Sequence, residues 1–181
     1  MALRTANRII ARRADVNNHP GNPTPQTQGQ NQTPMRINPK DVVSFAGRDY
    51  IVEGTATYHL GGKTFMLARA VDGEIVFWIE ALRDEADDRL LVLREIRDLE
   101  IAVPPPESIS YHDLIYVQRL SGRANIEIAG RVPERAAGSA DVWRYRAAGD
   151  LFLQIEEGGG RVFMLAGESV HRGMIDVLPG R

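Results

Sequence analysis

The chain of 181 residues contains no cysteine, and only two of its 22 basic residues, Lys40 and Lys63, are lysines. Without cysteine there are no disulfides, thiolate zinc sites, iron–sulfur clusters or cysteine nucleophiles. Two lysines leave few candidates for covalent lysine chemistry. No apolar run approaches the ~20 residues that a membrane-spanning helix needs, and the N-terminus lacks the apolar core of a secretory signal. We therefore expect a cytoplasmic protein that carries no cofactor.

Negative charge is unevenly spread. Residues 1–35 hold four arginines and one aspartate, a sum of +3, so the formal net charge of −2 leaves −5 for the rest of the chain. Binding to a phosphate backbone depends on cationic side chains that release counterions. The acidic body therefore argues against nucleic acid as a partner.

Residues 1–35 are predicted to be a disordered basic tail and linker. LRTANRIIARR spaces Arg4, Arg8 and Arg12 as a short helix would, but a helix of about eleven residues is marginal alone in water. A solvated tail is the simpler interpretation, and a basic contact with a membrane surface or an acidic partner is the alternative. The following VNNHPGNPTPQTQGQNQTP is too poor in apolar residues to fold, so the body is expected to begin near Met35.

From Arg36 onward the sequence predicts strands. DYIVEGTATYHL alternates with the period of two that is typical of a half-buried strand. Gly61-Gly62, Asp72-Gly73, Gly149-Asp150 and the glycines at 158–160 supply hairpin turns. The fold class is therefore all-β and antiparallel, built as small barrels or curled sandwiches.

An internal near-repeat divides this β-rich region. RAVDGEIVFWIEA at 69–81 matches RAAGDLFLQIEEG at 146–158 once one residue is gapped, and DRLLVL at 88–93 is echoed by GRVFML at 160–165. The repeat predicts two related tandem units, 36–103 and 104–181, that pack together. When the two units are superposed, Trp78 should match a position near Gln154. RVPERAAGSAD at 131–141 is extra in the second unit and is expected to form a longer loop.

Residues that could carry chemistry are scattered. The four histidines, His19, His59, His112 and His171, lack zinc-ligand spacing, and each is interpreted as satisfied or solvent-facing. His112 beside Asp113 could orient a base, but no nucleophile can be named. The acidic run RDEADD at 83–88 is interpreted as a solvated loop, with a cation or a basic partner as the alternative. We predict no catalytic, cofactor-binding or metal-binding residues.

Eleven of the twelve aromatic residues are spread through the predicted strands. In some small barrels such residues form a platform for single-stranded nucleic acid, which also requires a basic groove. Because the body is acidic and the aromatics stand in apolar stretches, core packing is the preferred interpretation.

The region from Asn38 to Gly180 resembles the domain-of-unknown-function family numbered 4178. The resemblance rests on VVSFAGRDYIVEG, FMLARAVDGEIVFWIE, VWRYRAAGDLFLQIEE and RVFMLAGESV. Gly47, Tyr50 and Val52 fit the family's opening phrase and Trp78-Ile79 fits a later one, while Phe65 stands where tryptophan is common. Members are often encoded near phage-shock-like membrane-stress proteins, which implies a bacterial, cytoplasmic accessory protein with a role at the inner face of the membrane. No activity or site residue can be carried over.

Together these observations favour a non-catalytic protein-interaction module. Its partners would be proteins, including membrane-associated ones, that bind exposed strand edges or the basic tail. A β-barrel that binds a small ligand or nucleic acid is one alternative, and an enzyme of unknown class is another.

Overall fold

The computed structural model of the protein describes residues 36–81 and 89–180, and 69% of these residues lie in strands. They contain no α-helix, and this confirms the all-β prediction. The elements are β1 (Val42–Phe45), β2 (Arg48–Leu60), β3 (Lys63–Asp72), β4 (Ile75–Ala81), β5 (Arg89–Glu95), β6 (Ser108–Tyr111), β7 (Leu114–Gly130), β8 (Gly138–Ala147), β9 (Leu151–Gly158), β10 (Arg161–His171), a single-turn 3-10 helix (Arg172–Met174) and β11 (Ile175–Leu178).

Strand β2 shows how the sequence pattern becomes structure. Ala56, Tyr58 and Leu60 are buried on one side, while His59 on the other side is exposed. The strand ends at Gly61-Gly62, where both residues have positive φ (56° and 78°). Glycine adopts these angles at no steric cost, so the chain reverses tightly into β3.

Eight strands close into one antiparallel barrel. β2 to β5 form one meander and β7 to β10 form another, and the two are joined by the pairs β5–β10 and β2–β7. At the β2–β7 seam Gly54 lies opposite Gly130. A Cβ on Gly54 would lie 2.7 Å from the Arg131 nitrogen and 2.8 Å from the Ala129 oxygen, so no larger residue fits there. Strands from both predicted units therefore close a common ring.

Three short strands extend the sheet beyond the ring. β1 pairs with the start of β2, β11 pairs with β1, and β6 pairs with Leu114–Val117 at the start of β7. Within the described residues, β6 and β11 end the strand order. The whole outer edges of β6 and β11, four residues each, are therefore unpaired in the described part of the chain.

Side chains fill the inside of the barrel and two smaller cores outside it. The inner core contains Tyr58, Leu67, Trp78, Leu93 and Leu165, all nearly inaccessible to solvent. One outer core lies between the barrel and β1 with β11, and the other between the barrel and β6 with residues 96–101. An eight-stranded barrel has room for such a filling and little more.

The other local predictions have mixed outcomes. The hairpin turns predicted around the four glycine-containing sites are present, and the longer loop predicted within 131–141 occupies 131–137. The basic tail and linker at 1–35 and the acidic run at 83–88 lie outside the described residues. The division into units 36–103 and 104–181 stays a prediction.

Candidate functional site

Charged side chains lie inside the barrel. Glu80 on β4 follows Trp78 by two residues, and strand alternation therefore places both on the inner face. Glu156 on β9 and Arg69 on β3 are also buried, with exposed fractions of 4% and 7%, and Glu80 is 2% exposed. Buried charges persist in proteins when they are paired and hydrogen-bonded. Glu80, Glu156 and Arg69 are therefore charged side chains of the barrel interior, which we call the lumen.

Of the two arginines that pair with Glu156 and Glu80, Arg135 has the less exposed side chain. It lies in loop 131–137, yet its side chain is only 3% exposed. Its Cζ atom is 4.1 Å from the ring centroid of Trp78, 4.2 Å from that of Phe163 and 5.6 Å from that of Tyr58. Cations within about 6 Å of an aromatic face are attracted by the ring quadrupole. We call Tyr58, Trp78 and Phe163 the aromatic cage.

Glu156 closes the open side of the aromatic cage. Nε and Nη2 of Arg135 donate to its two carboxylate oxygens at 2.9 and 2.6 Å, a bidentate pair. Tyr58 Oη and Gln154 Nε2 also donate to Oε1 of Glu156, at 2.9 and 2.6 Å. Burial disfavours the charge on Arg135, but Glu156, Tyr58 and Glu134 together outweigh this and raise its pKa. Burial raises the pKa of Tyr58 well above its ordinary value, so its hydroxyl remains a donor.

A second pair sits nearby in the same lumen. Arg144 on β8 donates to Glu80 at 2.6 Å, and its Cζ lies 4.2 Å from the ring centroid of Phe65. Phe65 in turn stacks on Tyr58 with centroids 4.7 Å apart. Burial raises the pKa of Glu80, and Arg144 offsets part of that rise.

Loop 131–137 is held at a third point. Arg69 donates from Nε to both oxygens of Glu134 at 3.0 Å, and it also pairs with Glu53 on β2. A cleft of about 560 Å³ opens beside this loop, and its walls include Glu134, Arg135, Glu156 and Phe163. The loop is therefore both bound to the barrel and bordered by open space.

The three histidines among the described residues take no part in the contacts of Arg69, Arg135 and Arg144. His59 and His112 are exposed, and His59 contacts Thr64 and Glu127. Nε2 of His112 lies 3.1 Å from Oδ2 of Asp98. Hydrogen bonds from Tyr111 and His112 lower the pKa of Asp98. His171 accepts a hydrogen bond from Gly173. His19 lies outside the described residues.

A second surface of interest adjoins β6. Ile115 and Val117 on β7 are 66% and 41% exposed. Val117 pairs with Ser108, and Ile115 pairs with Ser110, so these four side chains share one face. We call them the β6 ledge. Arg119 and Arg146 border a shallow cleft of about 410 Å³ next to it.

No group of three or more His, Asp and Glu side chains in residues 36–81 and 89–180 could hold a metal ion. The same residues include no helix with the length and apolar character needed to cross a membrane.

Sequence reasoning missed Arg135, Glu80 and Glu156 as lumen residues. The available signal was the Ile-Glu pair that recurs at 79–80 and 155–156, inside apolar strands. Alternation places each glutamate on the side opposite its preceding isoleucine. The prediction of core packing is confirmed for Trp78 and Tyr58, which are also cage walls.

The fold and this site define an all-β barrel protein with arginine–carboxylate pairs in its lumen. A sequence profile of the family described as "Domain of unknown function (DUF4178)" matches residues 38–172, and the chain therefore belongs to that family. Comparison with curated proteins and with solved structures gives no match.

Proposed function

We propose that the protein is a non-catalytic protein-interaction module that binds an extended segment of a protein partner along β6. The observation that carries this proposal is the β6 ledge, where two exposed apolar side chains adjoin a strand with an unpaired edge. Edge strands accept a partner's strand through main-chain hydrogen bonds, and neighbouring pockets supply specificity.

The hydrogen-bond pattern indicates which groups of β6 are available. Gln118 donates to the Glu107 carbonyl, one residue before β6 begins. In an antiparallel ladder such bonded pairs alternate with non-bonded ones, so the backbone groups of Ser108 and Ser110 face the free edge. Their side chains are small, which lets a partner's larger apolar residues reach Ile115 and Val117.

The cations beside the ledge suggest the partner's character. Arg119 is exposed, and Arg146 lies in the same cleft although it pairs with Asp150. We infer a partner segment that has an apolar side chain at every second residue and carries at least one carboxylate. The family resemblance supports a place in a bacterial cytoplasmic accessory system linked to membrane stress.

Partner recovery from cells with tagged full-length protein tests the proposal. Ser110→Pro removes a backbone donor at the free edge, and Ile115→Asp places a charge on the ledge; both should abolish recovery. Val162→Asp is the matched control, since Val162 is 45% exposed on β10, and it should leave recovery unchanged. Equal recovery by all variants would contradict binding at β6. His112→Ala should also retain the partner and the cellular role; loss of the role without loss of the partner would favour an enzyme.

We also infer that segments 36–103 and 104–181 are related units. In both, a short strand precedes a long one and a meander of three more. Trp78 on β4 pairs with Leu93 on β5, and Gln154 on β9 pairs with Leu165 on β10. Trp78 and Gln154 therefore have corresponding cross-strand partners. An experimental structure with the two strand sets superposed would test this, and a poor fit of β4 on β9 would contradict it.

A further inference from the structure

The guanidinium of Arg135 occupies a pocket whose named walls all belong to barrel strands. The aromatic cage draws Tyr58 from β2, Trp78 from β4 and Phe163 from β10, and Glu156 comes from β9. Aromatic faces bind a flat cation, and a carboxylate that receives two parallel bonds selects a forked donor. A guanidinium meets both requirements, whereas an ammonium group meets only the first.

The occupant of this pocket comes from a loop. Arg135 belongs to 131–137, whose backbone bonds include one from Arg131 to Glu53 and one within the loop, from Arg135 to Val132. The walls are held by the strand ladders of the barrel and do not depend on these bonds. The pocket would therefore keep its walls if the loop moved out.

Arg135 does not complete the hydrogen bonding of the pocket. Its Nη1 atom and the Oε1 atom of Gln154 are both buried, and neither has a hydrogen-bond partner among the described residues. Buried polar atoms in a site fitted to one permanent side chain are normally satisfied. Gln154 thus offers an acceptor to an arginine that enters at a different angle.

The pocket also has an approach from solvent. The cleft of about 560 Å³ beside the loop is lined by Arg135, Glu156 and Phe163, which belong to the pocket itself. Glu134 and Arg161 lie on the same cleft, and Glu134 is paired with Arg69, so the approach carries charges of both signs.

We propose that this pocket is a recognition site for an arginine side chain, and that Arg135 is an internal ligand which the incoming arginine displaces. The chemistry recognised is a guanidinium carried by a peptide. Its source is either the N-terminal region of this chain, with Arg4, Arg8, Arg12 and Arg13, or another protein. The site is separate from the β6 ledge, so it stands or falls independently of the proposed function.

Fluorescence of Trp78 tests displacement directly. The chain has two tryptophans, and Trp143→Phe in the full-length protein leaves Trp78 as the only one. Titration with N-acetyl-arginine amide should change its emission saturably, whereas N-acetyl-lysine amide over the same range should not. No saturable change, or an equal response to the lysine compound, would overturn the proposal.

A second variant separates a binding site from a permanent structural ion pair. Arg135→Lys keeps a cation over the rings and loses the fork, which weakens the internal competitor. The arginine compound should then bind about tenfold more tightly or better, because a larger fraction of the pocket is free. Unchanged affinity in a folded Arg135→Lys protein would refute displacement. If this variant does not fold, the Trp143→Phe titration decides alone.

Replacement of the four N-terminal arginines by glutamine identifies the source. A tethered competitor acts at high effective concentration. Tighter apparent binding of the arginine compound in this variant assigns the natural ligand to the N-terminal region. Unchanged binding assigns it to another protein.

Discussion

Glu80 and Glu156 each follow an isoleucine in a barrel strand, and each binds an arginine in the lumen. Arg144, which pairs with Glu80 on β4, stands on the opposite side of the barrel wall in β8, whereas Arg135, which pairs with Glu156, enters from a loop. Two matching carboxylates are thus neutralised by cations of different origin. This difference gives the two pairs different expected responses to mutation.

Glu156→Gln should lower the free energy of unfolding by about 3–5 kcal/mol, because it leaves the buried cation of Arg135 without its counter-ion. Asp141→Asn is the matched control. Asp141 pairs with Arg123 at the surface, with side chains 35% and 67% exposed, so its loss should cost less than about 1 kcal/mol. Urea denaturation measures both, and a similar small effect for the two variants would contradict a tightly coupled lumen pair.

The stability of the protein should depend on pH through Glu80. Burial raises the pKa of Glu80 above its ordinary value of 4.5, so the folded chain binds its proton more tightly than the unfolded chain does. The contribution of this group to the free energy of unfolding is therefore fully present below pH 4.5 and falls as pH rises toward the folded pKa. Glu80→Gln removes this dependence.

The measurement is the difference in unfolding free energy between wild type and Glu80→Gln at several pH values from 4.5 upward. The wild type should lose stability relative to the variant as pH rises. A difference that grows in favour of the wild type would show that Arg144 outweighs burial.

Trp78→Ala should destabilise the fold by about 3–5 kcal/mol, since it leaves a cavity and removes a wall from the cage around Arg135. Trp143→Ala provides the comparison, because Trp143 is only partly buried and packs at the edge of an outer core. The loss of stability in Trp143→Ala should be clearly smaller than that in Trp78→Ala. Thermal melting of both variants checks the order, and a larger effect at Trp143 would place the main core elsewhere.

Gly167→Ala should weaken the β5–β10 seam. A Cβ at this position would overlap the carbonyl oxygen of Val92 and lie 2.8 Å from the Leu93 Cα, so the paired backbones must separate. Gly159→Ala is a control with open space around its Cβ and a φ of 60°, where strain of about 1–2 kcal/mol is expected. Hydrogen exchange of β5 and β10 amides should accelerate in the first variant alone.

The local elements of this fold could be predicted from the sequence. Alternation identified β2, and glycine dipeptides such as Gly61-Gly62 located the turns, because both depend on neighbouring residues. Closure of the barrel could not be predicted in this way. The β2–β7 and β5–β10 pairs join distant segments, and the near-repeat indicates which strands correspond without indicating how the two sets meet.

The site was less accessible to sequence reasoning than the fold. Arg135 lies in a stretch whose proline, glycine and charges are typical of a surface loop, and such a composition does not mark a residue that enters a barrel. Glu80 and Glu156 could have been found, since alternation places them beside buried side chains. Their partners depend on tertiary packing, which no local pattern encodes.

Closure of the ring by the β2–β7 and β5–β10 seams has a consequence for how the chain is made. While the first half emerges from the ribosome, β2 and β5 have no partners along the edges that β7 and β10 later cover. Pairing between distant segments is slow to form, and unpaired edges promote aggregation in the interval. The partly synthesised chain is therefore prone to aggregation until β7 and β10 are available to pair with β2 and β5.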